Sequence, residues 1–213
     1  MTDNNTTGYK RFEVRKAPRQ RRSRSTVESI KQAALELAAQ EGFTELNTTQ
    51  IAERAGVSKG SLYQYFSNRE AIFMALFEDA TTGMAEVMKA LYLQILDLPP
   101  HEGIPKAIRR HLELFRQHEL IFLTLPGQVP QLRLASQPIT YESMIARFTR
   151  TYIRERIPEI SDSDLERRAF FIHEIVKGCI ASFVSDRPAK ISDRSFVEDL
   201  SEIIIGYSLK GAQ

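Results

Sequence analysis

Apolar residues recur at the spacing of an amphipathic helix along most of the chain. In the first such stretch, the capping box Ser25-Thr26-Val27-Glu28 predicts a helix that starts at Ser25. Gly42 follows the last periodic position and predicts a left-handed helix end. The apolar face between them consists of Ile30, Ala33, Ala34, Leu37 and Ala38, at positions i, i+3, i+4, i+7 and i+8.

Further helices follow, and no segment has the convincing alternation of a strand. Ser58 is placed to cap a short helix after a turn at Gly56-Val57. A second capping box, Ser67-Asn68-Arg69-Glu70, opens a fourth helix, and later helices are punctuated by prolines. The sequence therefore predicts an all-α fold, with helices over about 25–41, 49–55, 59–66, 67–96, 104–118, 120–125, 138–155, 164–185 and 195–209.

Composition excludes several classes of protein. The 213 residues are 42% hydrophobic and 26% charged, as in a soluble globular protein, and no apolar run approaches the roughly 18 residues of a membrane span. The N-terminus lacks a signal-peptide core, so we expect a cytoplasmic protein. A lone cysteine, Cys179, excludes an internal disulfide framework; we expect it to be a buried apolar residue, with redox sensing as the alternative.

The sequence contains no catalytic signature. The four histidines lack the spacing of metal ligands, so no metal is predicted. Neither a nucleophile–base pair nor a phosphate-binding loop is present, so no cofactor and no enzymatic activity are predicted.

Charge is distributed unevenly along the chain. Residues 1–25 contain eight basic and two acidic residues, whereas the remaining 188 contain 21 basic and 25 acidic residues. Residues 1–24 also lack apolar periodicity and are predicted to form a basic disordered arm. Such an arm on a slightly acidic body favours contact with a polyanion such as DNA; the alternative is a solvated tail.

The segment from Thr48 to Phe66 predicts a helix-turn-helix. Ala52 is small where two short helices approach each other, and Gly56 permits the positive φ of a sharp turn. Apolar contacts to the first helix are expected from Ile51, Val57 and Leu62, with Phe66 also in the core. The exposed side of the third helix has hydrogen-bonding groups and no acidic residue, which suits the major groove of DNA: Ser58, Lys59, Ser61, Tyr63, Gln64 and Tyr65.

The string Thr49-Gln-Ile-Ala-Glu-Arg-Ala-Gly-Val-Ser-Lys-Gly-Ser-Leu-Tyr-Gln-Tyr-Phe-Ser-Asn-Arg-Glu-Ala-Ile resembles the DNA-binding signature of the tetracycline-repressor (TetR) family. The resemblance covers roughly residues 25–75. It implies a three-helix DNA-binding domain over 25–72, followed by a larger helical ligand-binding and dimerisation domain over 73–213.

The resemblance also assigns roles to residues. Arg69 stands where the family usually has a phosphate-contacting lysine. Gln64 is the best candidate for reading a base, because its amide can pair with adenine. Tyr63 and Tyr65 are expected to donate to phosphates, although Tyr65 has the alternative of packing against the fourth helix. The full set of expected DNA contacts is Thr48, Thr49, Ser58, Lys59, Gly60, Ser61, Tyr63, Gln64, Tyr65 and Arg69.

A two-fold dimer on a palindromic operator is expected, because one short reading helix contacts few bases. The resemblance places the homodimer interface on the last two helices. The helix over 164–185 is apolar over so wide an arc that two of its sides must be buried. Packing within one subunit is the alternative. The expected interface residues are Phe171, Ile175, Gly178, Ser182, Phe196, Leu200, Ile203 and Tyr207.

The resemblance further implies a pocket for a small-molecule inducer in the middle helices, with an ordinary core as the alternative for its residues. The candidates are Phe115, Phe122, Phe148, Tyr152, Phe170 and His173, with His111 or His118 adding polarity. The chain is thus predicted to be a dimeric regulator, a repressor released from its operator by a largely apolar ligand. Activation instead of repression, and control by a protein partner or by abundance without an inducer, remain alternatives.

Overall fold

The computed structural model describes residues 21–129 and 139–210, with side chains from Ser23 in the first range and from Met144 in the second. Every regular element in these ranges is helical, which confirms the all-α prediction. The elements are α1 (Arg21–Glu41), α2 (Thr48–Arg54), α3 (Lys59–Tyr65), α4 (Arg69–Ile95), α5 (Pro100–Gln117), a π-helical turn (Leu120–Thr124) leading into α6 (Leu125–Gln128), α7 (Ile139–Arg156), α8 (Asp162–Asp186) and α9 (Asp193–Ser208).

The chain divides into two compact units. The first unit has the described residues 21–80 and 120–129, and the second has 81–119 and 139–210. Helix α4 passes from the first to the second after Ala80, whereas the domain boundary predicted from the sequence lies earlier in the same helix, after Ile72. The π-helical turn and α6 were assigned to the larger domain from the sequence, but they pack within the first unit.

Aromatic rings from distant parts of the sequence meet in the core of the first unit. Phe43 and Phe73 contact edge to face with their ring centroids 5.0 Å apart, and Phe77 contacts Phe122 of the π-helical turn in the same way at 5.7 Å. Burial of side chains of this size contributes about 1.5–3 kcal/mol each. The largest fully buried side chains here are Phe43, Phe66, Phe73, Ile30, Leu46, Ile51, Leu62, Ile72 and Leu125.

In the second unit, α5 packs against α8 and α9, and α7 packs against α8. Arg116 of α5 forms a bidentate ion pair with Asp193 at the start of α9. Arg150 of α7 pairs with Glu166 of α8 through two contacts of 2.6 Å. Both pairs are substantially exposed and therefore contribute little, so the buried apolar faces supply most of the stability.

Helix α1 starts at Arg21, so the capping box predicted at Ser25 is wrong. The Ser25 carbonyl instead accepts from Ser29 Oγ at 2.9 Å, and Glu28 pairs with Lys31 at 2.7 Å. The predicted disordered arm (1–24) is therefore helical over 21–24, and its residues 1–20 lie outside the described residues. A capping box permits a start but does not prevent a helix from continuing upstream through arginines, which have good helix propensity.

The residue that caps α4 is also not the predicted one. The predicted cap was Ser67, but Asn68 accepts from the Ala71 amide at 2.9 Å, and α4 begins at Arg69. Glu70 pairs with Arg69. The other predicted helices agree with the structure to within four residues at each end; the largest difference is at α5, whose first position is taken by Pro100, where proline is favoured.

Candidate nucleic-acid interface

Helix α2 is held at its start by a capping box that the sequence analysis missed. Asn47 Oδ1 accepts from the amides of Thr49 at 2.9 Å and Gln50 at 3.1 Å. Gln50 Oε1 in return accepts from the Asn47 amide at 3.0 Å. An N-cap of this kind stabilises a helix by about 1 kcal/mol. The pattern Asn-x-x-Gln ahead of an apolar residue was the signal from which it could have been found.

The turn between α2 and α3 has the predicted geometry. Gly56 has φ +65°, in the left-handed region that favours glycine. The Val57 amide donates to the Ala52 carbonyl at 3.0 Å, and Ala52 is 1% exposed. This bond and this buried small residue allow the two helices to cross closely. The predicted roles of Gly56 and Ala52 are therefore confirmed.

Helix α3 is fixed at its start and along its inner side. Ser58 Oγ accepts from the Ser61 amide at 3.1 Å, which confirms Ser58 as the cap. Leu62 is fully buried in the core of the first unit. Because a seven-residue helix is only marginally stable alone, this cap and this anchor hold its outer side in place.

A hydroxyl pair joins the two helices on their outer side. Thr48 Oγ1 and Tyr63 Oη lie 2.9 Å apart, at the start of α2 and in the middle of α3. Each hydroxyl can still make a further hydrogen bond, since a hydroxyl both donates and accepts. Both residues are expected phosphate contacts, and the structure brings them together on one surface.

The outward side of α3 carries the other expected base-reading and phosphate-contacting groups. Lys59, Gly60 and Gln64 are exposed, Tyr63 is 41% exposed, and α3 has no acidic residue. A Cβ atom on Gly60 would meet only Ser58 Oγ, at 3.8 Å, so nothing within the subunit requires glycine at this position. We call this exposed side of α3 the reading surface.

Two other expected contacts are less exposed. Tyr65 is half-buried and packs against the core of the first unit, in keeping with the alternative for this residue. Arg69 Nη1 donates to the carbonyls of Thr44 at 2.7 Å and Leu46 at 2.5 Å, and its Nε donates to Glu70 at 3.0 Å. Arg69 therefore holds the loop between α1 and α2, and its expected phosphate contact stays a prediction.

Two further cations of the first unit are paired with carboxylates. Arg54 of α2 donates to Glu36 of α1 at 2.7 and 2.9 Å, and this hydrogen bonding lowers the pKa of Glu36. Lys31 pairs with Glu28 and with Asp79. Burial lowers the pKa of Lys31, but hydrogen bonds to the two carboxylates outweigh burial and raise it. These side chains connect helices and leave little charge for DNA.

A side chain from a distant part of the sequence supports the chain ahead of α2. Gln128, at the end of α6, accepts through Oε1 from the Phe43 amide at 2.6 Å. Phe43 follows Gly42, whose φ of +79° ends α1 as predicted. No local pattern could have revealed this contact, because 85 residues separate its partners.

In the second unit, two of the expected pocket residues lie together. The rings of Phe148 and Tyr152 on α7 are 5.8 Å apart, and the ring of Tyr92 from α4 stacks on Phe148 at 3.9 Å. His111 of α5 lies beside Tyr92, with ring centroids 6.1 Å apart. The remaining expected residues of this unit, Phe115 and His173, are half-buried on α5 and α8.

Two expected pocket residues lie elsewhere. Phe122 packs against Phe77 in the first unit, because the π-helical turn belongs to that unit. Phe170 is 60% exposed, because the buried position on α8 is its neighbour Ala169, about 100° around the helix. Both residues are removed from the expected pocket.

The expected dimer residues fall on both sides of α8 and α9. Phe171 is 46% exposed, Ile203 is 54% exposed, and Gly178 and Ser182 are also exposed. Leu200 is 3% exposed and faces the core of its own subunit, between Val197 and Ile204 on one side of α9, so it is removed from the expected interface. The half-buried members are Ile175, Phe196, whose ring stacks on Phe183 at 4.0 Å, and Tyr207, whose ring meets Phe171 edge to face.

Within the described ranges, no cluster of three or more histidine, cysteine or acidic side chains is placed to hold a metal ion. Among the helices that these ranges contain, none is both long and apolar enough to cross a membrane.

Comparison with known proteins gives one family match. Residues 30–76 match the family described as bacterial regulatory proteins of the tetR family. The chain is 26% identical over 189 residues to the uncharacterized HTH-type transcriptional regulator YhgD of Bacillus subtilis, covering 85% of this chain and 94% of YhgD. It is 27% identical to the fatty acid metabolism regulator protein of B. subtilis, covering 57% of this chain and 59% of that protein. In YerO, another uncharacterized B. subtilis regulator, the 28% identical match spans 49% of this chain but only 37% of the relative.

Solved structures give the same fold at low identity. FadR from Bacillus halodurans, a fatty acid degradation regulator, has a TM-score of 0.67 at 17% identity, covering 85% of this chain and 95% of that one. Thermus thermophilus FadR, a repressor crystallised with lauroyl-CoA, has a TM-score of 0.59 at 23% identity, covering 88% and 95%. At these identities the likeness concerns the fold alone.

Proposed function

We propose that this chain, a member of the TetR family of transcriptional regulators, binds a palindromic operator as a two-fold dimer and represses transcription until an apolar ligand releases it. The observation that carries the proposal is the reading surface. Its helix is capped at Ser58, anchored by Leu62 and joined to α2 through Tyr63, while Lys59 and Gln64 point to solvent. A fixed, exposed, polar helix without acidic residues suits the major groove.

Gln64 is proposed to read a base, because its exposed amide offers both a donor and an acceptor to adenine. We expect Gln64→Ala to relax base preference at one position of each half-site while leaving general DNA affinity largely unchanged. Selection from a randomised DNA library measures this preference. Gln40→Ala, an exposed position on α1, is the matched control. An unchanged preference in the Gln64 variant would remove this residue from base reading.

The basic N-terminal segment is proposed to add contacts to phosphates. Deleting residues 1–20 leaves α1 from Arg21 onward and should weaken operator binding and flatten its dependence on salt. A control chain of full length, with the five basic residues of this segment (Lys10, Arg11, Arg15, Lys16 and Arg19) replaced by glutamine, tests charge separately from length. An identical salt slope for all three chains would exclude these phosphate contacts.

The homodimer is proposed to form through the exposed apolar residues of α8 and α9. Phe170, Phe171 and Ile203 are each 46–60% exposed in the single chain, and large contiguous apolar surface is uncommon on monomers. Burying these side chains against the same surface of a second copy gives the two-fold symmetry that a palindromic operator requires. Light scattering of the purified chain at micromolar concentration tests this; a monomer would contradict it.

The ligand is proposed to bind in the second unit and to carry an acyl chain. Relatives at the level of sequence and of fold include a fatty acid metabolism regulator and a repressor crystallised with lauroyl-CoA. The aromatic residues Tyr92, Phe148 and Tyr152 supply apolar surface in this unit. The test is operator release, measured by fluorescence anisotropy of labelled operator DNA during titration with lauroyl-CoA. The alternative, control by a protein partner or by abundance, predicts operator binding that no acyl compound changes.

A route for this release is proposed through the chain itself. Helix α4 is continuous across the boundary at Ala80, and α5 of the second unit is joined to the π-helical turn of the first through Gln117–Leu120. A ligand that binds one arrangement of α4 and α5 better than another can thereby bias the reading surface.

A further inference from the structure

One hydroxyl in the second unit is buried without a hydrogen-bond partner. Tyr152, on α7, is only 5% exposed, and among the described residues its Oη has no hydrogen-bond partner. Buried hydroxyls are normally bonded, because water is lost on burial and must be replaced. An unpartnered one therefore calls for a group that the described part of the chain does not supply. Burial raises the pKa of Tyr152, so the hydroxyl keeps its proton at neutral pH and can donate it.

The surroundings of this hydroxyl are aromatic. The ring centroid of Phe148, one helical turn earlier, lies 5.8 Å from that of Tyr152. The ring of Tyr92 stacks on that of Phe148, with their centroids 3.9 Å apart. The guanidinium of Arg156 covers the Tyr152 ring, 3.6 Å from its centroid. A ligand with an apolar skeleton suits such aromatic surroundings.

The guanidinium over this ring, that of Arg156, already donates three hydrogen bonds. Arg156 Nη2 donates to the carbonyls of Leu96 at 2.8 Å and Leu98 at 2.9 Å, and its Nη1 donates to the Tyr152 carbonyl at 3.2 Å. The guanidinium thus binds the chain that follows α4. These carbonyls are neutral, so the guanidinium keeps its positive charge.

The histidine of the cluster is neutral. Burial is the main cause that lowers the pKa of His111 to about 4, so the ring carries no charge at neutral pH. Its Nδ1 lies 3.0 Å from the Ala107 carbonyl, which fixes the proton on that nitrogen and leaves Nε2 to accept from Tyr92 Oη at 3.4 Å. The interior beside Tyr152 therefore offers hydroxyl groups and aromatic rings, and the Arg156 guanidinium covers the Tyr152 ring.

We propose that Tyr152 Oη is the anchor for the ligand, and that it donates to an oxygen of an acyl-chain compound. This inference rests on the proposed function, because it concerns the ligand that releases the operator. The ligand class is that of acyl-chain compounds with an oxygen placed to accept this hydrogen bond.

The test compares two tyrosines of the same cluster in the full-length dimer. Tyr152→Phe removes the unpartnered hydroxyl, and Tyr92→Phe removes one that is bonded to His111. Without ligand, we expect Tyr152→Phe to keep or raise the thermal midpoint and Tyr92→Phe to lower it. A midpoint lowered by Tyr152→Phe would mean that this hydroxyl is satisfied within the folded chain, through a buried water for example, and would overturn the proposal.

Binding to the same variants tests the ligand class. The probes for calorimetry are methyl laurate, dodecanol and laurate, all below their critical micelle concentrations. Tyr152→Phe should weaken the binding of each probe that the wild type binds by roughly tenfold, the usual effect of one hydrogen bond. Equal affinity in the variant, or binding of none of the probes, would overturn the proposal.

The operator assay distinguishes this failure from a failure of the proposed function. If the wild type binds operator and lauroyl-CoA releases it, but Tyr152→Phe responds identically, only the anchor is wrong. If operator binding is absent, or is insensitive to every acyl compound, the proposed ligand control is wrong as well.

Discussion

Replacing Gln128 by alanine should destabilise the first unit although the side chain lies 85 residues from its partner. Gln128 Oε1 accepts the Phe43 amide at 2.6 Å, directly after the left-handed Gly42 that ends α1. Phe43 is fully buried, so its amide has no route to solvent in the intact fold. Removing the acceptor leaves a buried donor without a partner, which is more damaging than the loss of an exposed hydrogen bond.

The expected magnitude follows from this geometry. An unsatisfied buried backbone donor costs about 1–3 kcal/mol. For a chain of 213 residues, 1 kcal/mol lowers the thermal midpoint by about 2–4 °C, so Gln128→Ala should lower it by several degrees. The same change should weaken operator binding, because Phe43 begins the short connection to Asn47, which caps α2. Operator binding with wild-type affinity would mean that this connection does not depend on Gln128.

The free energy is measured by urea unfolding and the midpoint by thermal unfolding, both at one fixed protomer concentration, because the stability of the proposed dimer would depend on concentration. Gln128→Met keeps the length and volume of the side chain without a strong acceptor, so it separates hydrogen bonding from packing. Gln117→Ala, at an exposed position, controls for replacing a glutamine in a helix. If Gln128→Met is as stable as the wild type, packing alone explains any loss in the alanine variant and the reasoning from the hydrogen bond is refuted.

Three further outcomes follow from particular contacts. Arg69→Lys should lower stability by about 1–2 kcal/mol in urea unfolding, because an ammonium cannot reproduce the contacts with two carbonyls and Glu70; a stability equal to wild type would contradict this role. Gly178→Leu should yield a folded monomer, since outside its own stretch of helix a Cβ there would meet no described atom of its subunit within 4 Å. A dimeric mass by light scattering would exclude this position from the interface. The free energy of unfolding should fall as the pH decreases from about 6.5 to 4. In this range His111 binds a proton in the unfolded chain but not in the folded chain, where its pKa is about 4. The contribution is about 3 kcal/mol and should disappear in His111→Leu.

Local signals in the sequence were enough to predict most of the helices. Apolar periodicity and turn residues give α2, α3 and the later helices to within four residues, and the positive φ values fall on Gly42 and Gly56 as expected. These features depend on residues close to one another in the chain. The same holds for Ser58, whose cap is completed three residues later.

Capping patterns were less informative, because several residues near the start of a helix are able to act as its N-cap. Ser25 matched a capping box but lies inside α1, whereas Asn47 and Asn68 act as caps at α2 and α4. Pattern matching identifies where a helix is able to start. The actual start depends on whether the residues before it can also be helical, as Arg21 to Arg24 are.

The pocket and interface residues depended on long-range packing, which periodicity describes only approximately. Phe170 and Leu200 illustrate the error: a helix that is apolar over a wide arc does not reveal which of its sides faces the subunit core. Phe122 shows a second source of error, since the sequence did not indicate that the π-helical turn packs within the first unit. The unpartnered Tyr152 hydroxyl is visible only once its neighbours are placed.

The allocation of positive charge in the first unit also changes how DNA binding should depend on salt. Among its described side chains, Lys31 and Arg54 are paired with carboxylates and Arg69 holds two carbonyls, which leaves Arg24 and Lys59 for phosphate. Each neutralised phosphate contributes about −0.9 to the slope of log affinity against log salt, so these two cations in both subunits account for a slope of only about −4. A steeper slope for the whole chain must come from cations outside this set, and the five basic residues within 1–20 are the largest group that deletion can test. The difference in slope between the full chain and the deletion therefore measures how many of them reach phosphate.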